Sequence, residues 1–471
     1  MPFSFRPTKR GALRGAAAIV CSTAFGCAAL MRPSDDVPPT MSECTQTIAA
    51  AERHRDRNSR NDALLFHLRL GTYQQACREF ERSTESYENA KRISDDLYTK
   101  SISAETVSLL GNDAMRPYPG QNFERAMIRI ENALNFAAAG RTESALVEAR
   151  QVDYFLRELN QAQGGRNVYS EDAFGRYLTG MLHEEAGDVD SARISYILAV
   201  EAYQRSQPED RVGAPPELLS SMLAVAERHS EEAVGEARSL GAERPRALPE
   251  GAGEVVIVHQ LGRVPDKVEE IITVSWGEGW AYANQYRSSQ DDADYQKAKD
   301  VAVTLSSRDT FRVAFPIFVD RRYEIDDVEV RVDGHLGIGE SRLVSNIGAV
   351  AKKDLKDYIH RIRARTIGRA AIYFAAQKFA ERQMQDQGNQ EAAALIGLAG
   401  ALRSIVMEHA DRRQWDSLPD RIKLRSIILP EGRHTLELSF VGPPGLARSE
   451  VVPDVSVRAG RRTFLVVRSA R

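Results

Sequence analysis

The feature that most constrains the fold is a change of hydrophobic period at residues 245–253, a stretch with two prolines and two glycines. Before it, over 42–243, apolar residues recur at three and four and breakers fall mostly between the periodic stretches, which is the spacing of amphipathic helices. After it, Val255 to Val258 and Ile271 to Val274 are short β-branched runs joined by a turn around Gly262 to Asp266. Residues 311–315 and 328–332 alternate apolar with other side chains, and Asp333-Gly334 is a hairpin turn signal. Helical spacing returns at 343–407, broken at Asp386 to Asn389, and strands resume at 422–429, 435–441, 451–457 and 463–467. At 471 residues the chain exceeds what one core usually organises. The expected class is α+β and multidomain: a helical solenoid at 42–244, then a mostly antiparallel β-sandwich at 253–471 interrupted by a helical hairpin at about 343–409.

Within the helical half, three places share a turn glycine, an alanine five residues later and an apolar or aromatic position on the same face. They are Gly71/Ala76/Phe80, Gly140/Ala145/Ala149 and Gly187/Ala192/Tyr196. Glycine permits a tight turn, and a small alanine lets the second helix approach the first. These positions resemble tetratricopeptide repeats, and the third copy also has Gly180 and Ala199 where that repeat expects small residues. The alanines stand 69 and 47 residues apart, so the first gap is expected to hold two units of about 34 residues, the middle one degraded around Asn112 to Gln121. A non-repetitive bundle with chance glycine turns is the alternative.

Location is read from the first residues. Arg6, Lys9, Arg10 and Arg14 precede an uncharged apolar run from Gly15 to Gly26, the layout of a secretory signal peptide. That run is well short of the roughly 20 residues that span a bilayer. Ala24-Phe25-Gly26-Cys27 resembles a bacterial lipobox, with Ala24 in place of the usual leucine. The expected layout is a signal peptide at 1–26 and a lipidated, proline-rich tether at 27–41, with Cys27 carrying the lipid and a soluble periplasmic product as the alternative. Without its first 26 residues the net charge of −3 becomes −7, which excludes a general attraction to nucleic acid. Cys44 and Cys77 then remain, 33 residues apart; two small buried residues on helices is the favoured reading, and a bridge the other.

With these features in place, Leu70-Gly71-Thr72-Tyr73, Ala145 to Arg150, Gly253-Glu254-Val255-Val256 and Trp415-Asp416-Ser417-Leu418-Pro419 resemble an uncharacterised family of bacterial envelope lipoproteins with tetratricopeptide-like repeats. The resemblance implies location and architecture and no reaction. Ala28 after the lipid cysteine implies, by similarity to known sorting, delivery to the outer membrane.

Chemical motifs are sparse. No Gly-x-Ser-x-Gly elbow and no His-Glu-x-x-His helix occurs, and the cysteines are too few for a structural zinc site. Gly337-Ile338-Gly339 lacks the third glycine of a dinucleotide fingerprint. Trp276 to Trp280 could stack on a sugar ring, but core or edge tryptophans at a strand end are the favoured reading. No metal or cofactor is expected. The candidate partner-binding residues are therefore surfaces. Phe174, Tyr177 and Met181 share a face of the third repeat's inner helix, where such arrays take a peptide or helix, with core packing as the alternative. Arg361, Arg363 and Arg365 form the densest part of a basic helix, and Gly397 and Gly400 lie in an apolar stretch opposite a stripe of Gly368, Ala371 and Ala375. The resulting expectation is a non-catalytic outer-membrane lipoprotein, a scaffold or assembly factor that holds an envelope protein through its repeats, the membrane through its lipid, and another copy of itself through the hairpin. The alternatives are a structural subunit of a secretion or appendage complex and an enzyme acting on cell-wall polymer.

Overall fold

Nine helices of the first half begin at α1 (Cys44–Arg53), and the eight that follow pair into four antiparallel hairpins among the described residues. These are α2 (Ala63–Ala76) with α3 (Phe80–Ser103), α4 (Asn122–Ala138) with α5 (Thr142–Ala162), α6 (Ala173–Glu185) with α7 (Val189–Arg205), and α8 (Pro216–Glu227) with α9 (Glu231–Ser239). A computed structural model describes residues 43–53, 60–103, 116–162, 169, 171–206, 212–286, 309–386, 410–442 and 445–470. Gly140 and Gly187 sit at the hairpin turns with φ of +71° and +82°, the left-handed region that glycine enters without penalty. The hairpins are tetratricopeptide-like, but the first copy is displaced from its expected register. Its turn residue is Arg78, with φ of +59°, and Gly71 lies seven residues earlier inside α2, in the position Gly180 holds in α6. Both glycines admit an aromatic ring from the second helix: an added Cβ would lie 2.6 Å from Tyr87 at Gly71 and 2.4 Å from Tyr196 at Gly180. Across the first gap the long α3 packs directly on α4, and the stretch read as degraded, Asn112 to Gln121, lies partly outside the described residues.

The β half forms two four-stranded sheets and a separate two-stranded ribbon among the described residues. The first sheet has the order β10 (Arg462–Ser469), β1 (Ala252–Leu261), β7 (Arg421–Pro430), β6 (Arg342–Asn346), with β1 parallel to β10 and antiparallel to β7. The second has the order β5 (His335–Leu336), β4 (Asp327–Val332), β8 (Gly432–Gly442), β9 (Gly445–Val457). The expected turn at Asp333-Gly334 is present, both residues having positive φ. The two sheets share a core in which Val255 and Ile257 of β1 meet Val328, Val330, Leu438 and Phe440. Alternate residues point the other way, as the pleat requires: Val256 and Val258, with Phe464 and Val466, join the helical core around Leu68, Met127 and Tyr177. The first sheet is therefore the middle layer between helices and second sheet, and every residue of β1 is buried.

Two expectations change as a result. The helical and β halves are not separate domains on a linker, since they share one core, and Arg246 of the connecting stretch pairs with Glu184 of α6. The runs at Val255 and Ile271 do not pair with each other either. β2 (Asp266–Ser275) pairs with β3 (Thr310–Val319), and this ribbon packs with α10 (Trp276–Tyr286) and α11 (Ile347–Asp386) around a small core of Trp276, Phe311, Phe315, Ile367 and Ala371. The helical excursion starts at Ile347 instead of 343 because Arg342–Asn346 belongs to β6, and the Asn346 side chain accepts the Ala349 N–H at 3.1 Å as an N-cap. Trp276 and Trp280 lie in a helix, ring centroids 5.3 Å apart, with Trp276 buried in that core.

Candidate functional site

Cys27, Gly397 and Gly400 lie outside the described residues. Phe174, Tyr177 and Met181 are 1%, 3% and 2% exposed, so the binding role expected for them falls and packing remains. The physical reason is that α2 and α4 meet β10 and α6 meets β6, so the chain's own sheet occupies the face of the first helices that such arrays usually offer to a partner. The backbone carbonyl of Met181, for instance, faces Arg462 Nη1 at 3.5 Å. The basic helix divides: Arg361 is exposed, whereas Arg363 pairs with Glu270 at 3.7 Å and lies over the Phe315 ring, and Arg365 is half-buried. A Cβ on Gly368 would meet the Ala283 backbone at 3.2 Å, so the small-residue stripe receives α10, and the 392–402 stretch expected opposite it lies outside the described residues.

The seam between helices and sheet is held by two buried polar clusters. In the first, the Trp415-Asp416-Ser417 segment enters the helical array. Trp415 donates its indole N–H to Thr72 Oγ1 at 2.9 Å and its backbone N–H to Glu124 Oε1 at 2.6 Å, and Asp416 pairs with Arg69 at 2.7 Å. Glu124 also accepts the Tyr118 hydroxyl and the Gln121 N–H, the latter as part of the α4 cap. Beside it, Glu131 accepts from Gln260, and burial, only partly offset by Arg468, pushes its pKa up to about 7. The second cluster is centred on Arg462 of β10. Its Nε donates to Glu254 at 2.8 Å and its Nη1 to Glu184 at 2.7 Å, while Arg246 reaches the same two carboxylates and Tyr196 donates to Glu184 at 2.8 Å. Burial alone would raise both acids, but Arg462 and Arg246 outweigh it and hold them below the ordinary glutamate value.

An open site survives on another face of the array. A cavity of about 920 Å³ lies between α3, α4 and α5, with Arg125 and Arg129 of α4 among its lining. These arginines interrupt an otherwise apolar stretch that contains Met127, Ile128 and Ile130. Although 3% exposed, Arg125 is held by the Tyr98 ring at 3.9 Å and the Phe155 ring at 4.6 Å; Arg129 lies 4.7 Å from Phe155. Asp95 reaches both guanidinium groups at 3.2 Å, Ser94 accepts from Arg125 Nε, and the Arg125 carbonyl accepts from Arg129. Arg125 Nη1 has no hydrogen-bond partner among the described residues. Burial lowers the Arg125 pKa, with Asp95 opposing and Arg129 reinforcing the shift. Tyr154, 60% exposed, donates to Glu158 at 2.7 Å on the rim, beside Gln151 and Gln161. The arrangement can bind an anion and bury an apolar group next to it. Sequence reasoning passed over these residues, though two arginines four apart inside an apolar run were a usable signal.

No protein-family model matches the chain, and no curated protein matches it. Among solved structures, BtubC (BKLC) from P. vanneervenii is similar at 16% identity over 44% of this chain and 76% of that one, with a TM-score of 0.28. The apo form of RapI is similar at 10% identity over 78% and 72%, TM-score 0.30. A putative kinesin light chain of Podosopora anserina with nearly identical TPR-like repeats is similar at 15% identity over 43% and 88%, TM-score 0.27. Likeness at this level assigns neither partner nor activity to this chain.

Proposed function

We propose that the protein is a non-catalytic interaction scaffold of the bacterial cell envelope, anchored to the outer membrane through Cys27, that holds a protein partner in the α3–α4–α5 cavity. The observation that carries this reading is a solvent-open cavity with two buried, aromatic-held arginines on its floor, on an array whose other face is already filled by the sheet. The two carboxyl groups that burial raises to about 7, Glu131 and Asp354, serve packing instead. Glu131 lies in the helix–sheet seam, and Asp354 of α11 meets Asn122 at the start of α4. Export is supported by the bridge between Cys44 and Cys77, which replaces the two unlinked cysteines favoured by the sequence; disulfides persist in oxidising compartments. Among the described residues no helix is long and apolar enough to cross a membrane.

The test has two arms. A photo-crosslinking phenylalanine analogue at Tyr154, which is exposed at the rim, should capture a discrete envelope protein, and the same analogue at exposed Ile338 on the sheet side should not. Equal capture at both positions removes the cavity as the partner site. Separately, Cys27→Ser should move the protein from the membrane to the soluble periplasmic fraction; a variant that still sediments after a salt wash removes the lipid anchor.

A further inference from the structure

Asp95 differs from the other acids that face buried arginines in this chain. The side chains of Glu184 and Glu254 are 5% and 7% exposed and have several partners each, whereas the Asp95 side chain is 45% exposed and spans two guanidinium groups at the mouth of a cavity. Its contacts of 3.2 Å are longer than the 2.7 and 2.8 Å that Arg462 makes with its two acids. One terminal nitrogen of Arg125 is left over. Two arginines with five donors each can satisfy more than one carboxylate.

We propose, building on the cavity reading above, that Asp95 occupies the place of a partner's carboxylate, and that the cavity takes an extended peptide whose acidic side chain displaces Asp95 from Arg125 and Arg129. Carboxylate fits better than phosphate for two reasons. The seat is already shaped around one, and Glu158 on the rim opposes a second negative charge. Peptide chemistry fits the walls: Phe155 and Leu159 can cover an apolar side chain, and the amides of Gln151 and Gln161 can bond an extended backbone. Affinity is then set by a competition within the molecule, since the ligand gains only the difference between its own contacts and those of Asp95.

The experiment uses the full chain in mild detergent and the probe acetyl-Phe-Asp-Leu-amide, with acetyl-Phe-Asn-Leu-amide as its neutral twin, followed by calorimetry. Asp95→Asn should bind the acidic probe about five-fold tighter than the natural chain, the scale of releasing a part-exposed ion pair, and leave the neutral probe unchanged. Arg129→Gln should abolish binding of the acidic probe in either background. Asp95→Ser gives the same readout if the asparagine variant fails to fold. Unchanged or weaker binding by both Asp95 variants overturns the proposal and makes Asp95 a strut for the arginines. Equal competition by inorganic phosphate, or binding of phosphatidylglycerol vesicles in place of the peptide, also overturns it. If Tyr154 crosslinking still captures a protein when the acidic probe does not bind, the cavity reading stands and only the carboxylate displacement is lost; if both fail, both are lost.

Discussion

Replacing Arg462 by Met would remove the charge at the centre of the second seam cluster while keeping most of the side-chain volume. Arg462 is 6% exposed and pairs with Glu184 at 2.7 Å and Glu254 at 2.8 Å, and both acids are nearly fully buried. Removing one partner of a buried ion pair costs about 3–5 kcal/mol, because the remaining charge keeps its desolvation penalty. Arg246 still reaches both carboxylates, so the lower end, about 3 kcal/mol, is expected at pH 7. The loss has a pH signature. In the natural chain both acids have folded-state pKa values below 4.5, so their contribution is present above that value and disappears as pH falls through the folded values. Without Arg462, burial becomes the larger influence and raises them above 4.5, so the penalty is full at neutral pH and shrinks as pH falls through those raised values and both glutamates take up protons. Urea unfolding followed by circular dichroism at pH 7 and pH 5 would measure it. A change under about 1 kcal/mol, or one of equal size at both pH values, would refute the assignment of Arg462 as the countercharge of the seam.

Three further outcomes are expected. Cys44→Ser with Cys77→Ser opens a loop of 33 residues and should cost about 3–4 kcal/mol by loop-closure entropy, read as a lower melting temperature that dithiothreitol reproduces in the natural chain and not in the variant. Gly180→Ala places a Cβ 2.4 Å from the Tyr196 ring and should destabilise by about 1–2 kcal/mol net of its helix propensity, while Gly235→Ala in α9, with open space around it, should stabilise by about 0.5–1 kcal/mol in the same melting assay. Glu131 titrates near 7 in the fold against 4.5 ordinarily, so its contribution is whole below pH 4.5 and is lost as pH rises through 7. Glu131→Gln should therefore flatten the decline in stability between pH 5 and pH 8, and an unchanged pH profile would show that burial does not raise the titration of Glu131 in the fold.

The helical hairpins were legible because turns need particular backbones: Gly140 and Gly187 stand where positive φ is required. The first copy was misplaced because Arg78 adopts that conformation without being glycine, while Gly71, which looked like the turn, makes room for Tyr87. Strands and the Asp333-Gly334 hairpin followed from alternation and turn chemistry. The union of the two halves was hidden, although the unbroken Val255 to Val258 run was a clue to burial on both faces. The binding face was misjudged for a related reason: the spacing of Phe174, Tyr177 and Met181 marks a shared apolar face and cannot say whether a partner or the chain's own β10 covers it. The bridge was underweighted because a separation in sequence does not report that α1 folds back beside the end of α2.

The pairing of β1 with β10 also sets an order of events. Glu254 faces Arg462 across that ladder, more than 200 residues later in the chain, and Phe464 and Val466 complete the core under α2 and α4. A ribosome finishes the repeat-like helices long before it delivers the strand that covers them. Until β10 joins β1, the faces of α2 and α4 that it covers have no lid. Parallel pairing at such separation is slow to form, so closing the helical core waits on the β1–β10 ladder.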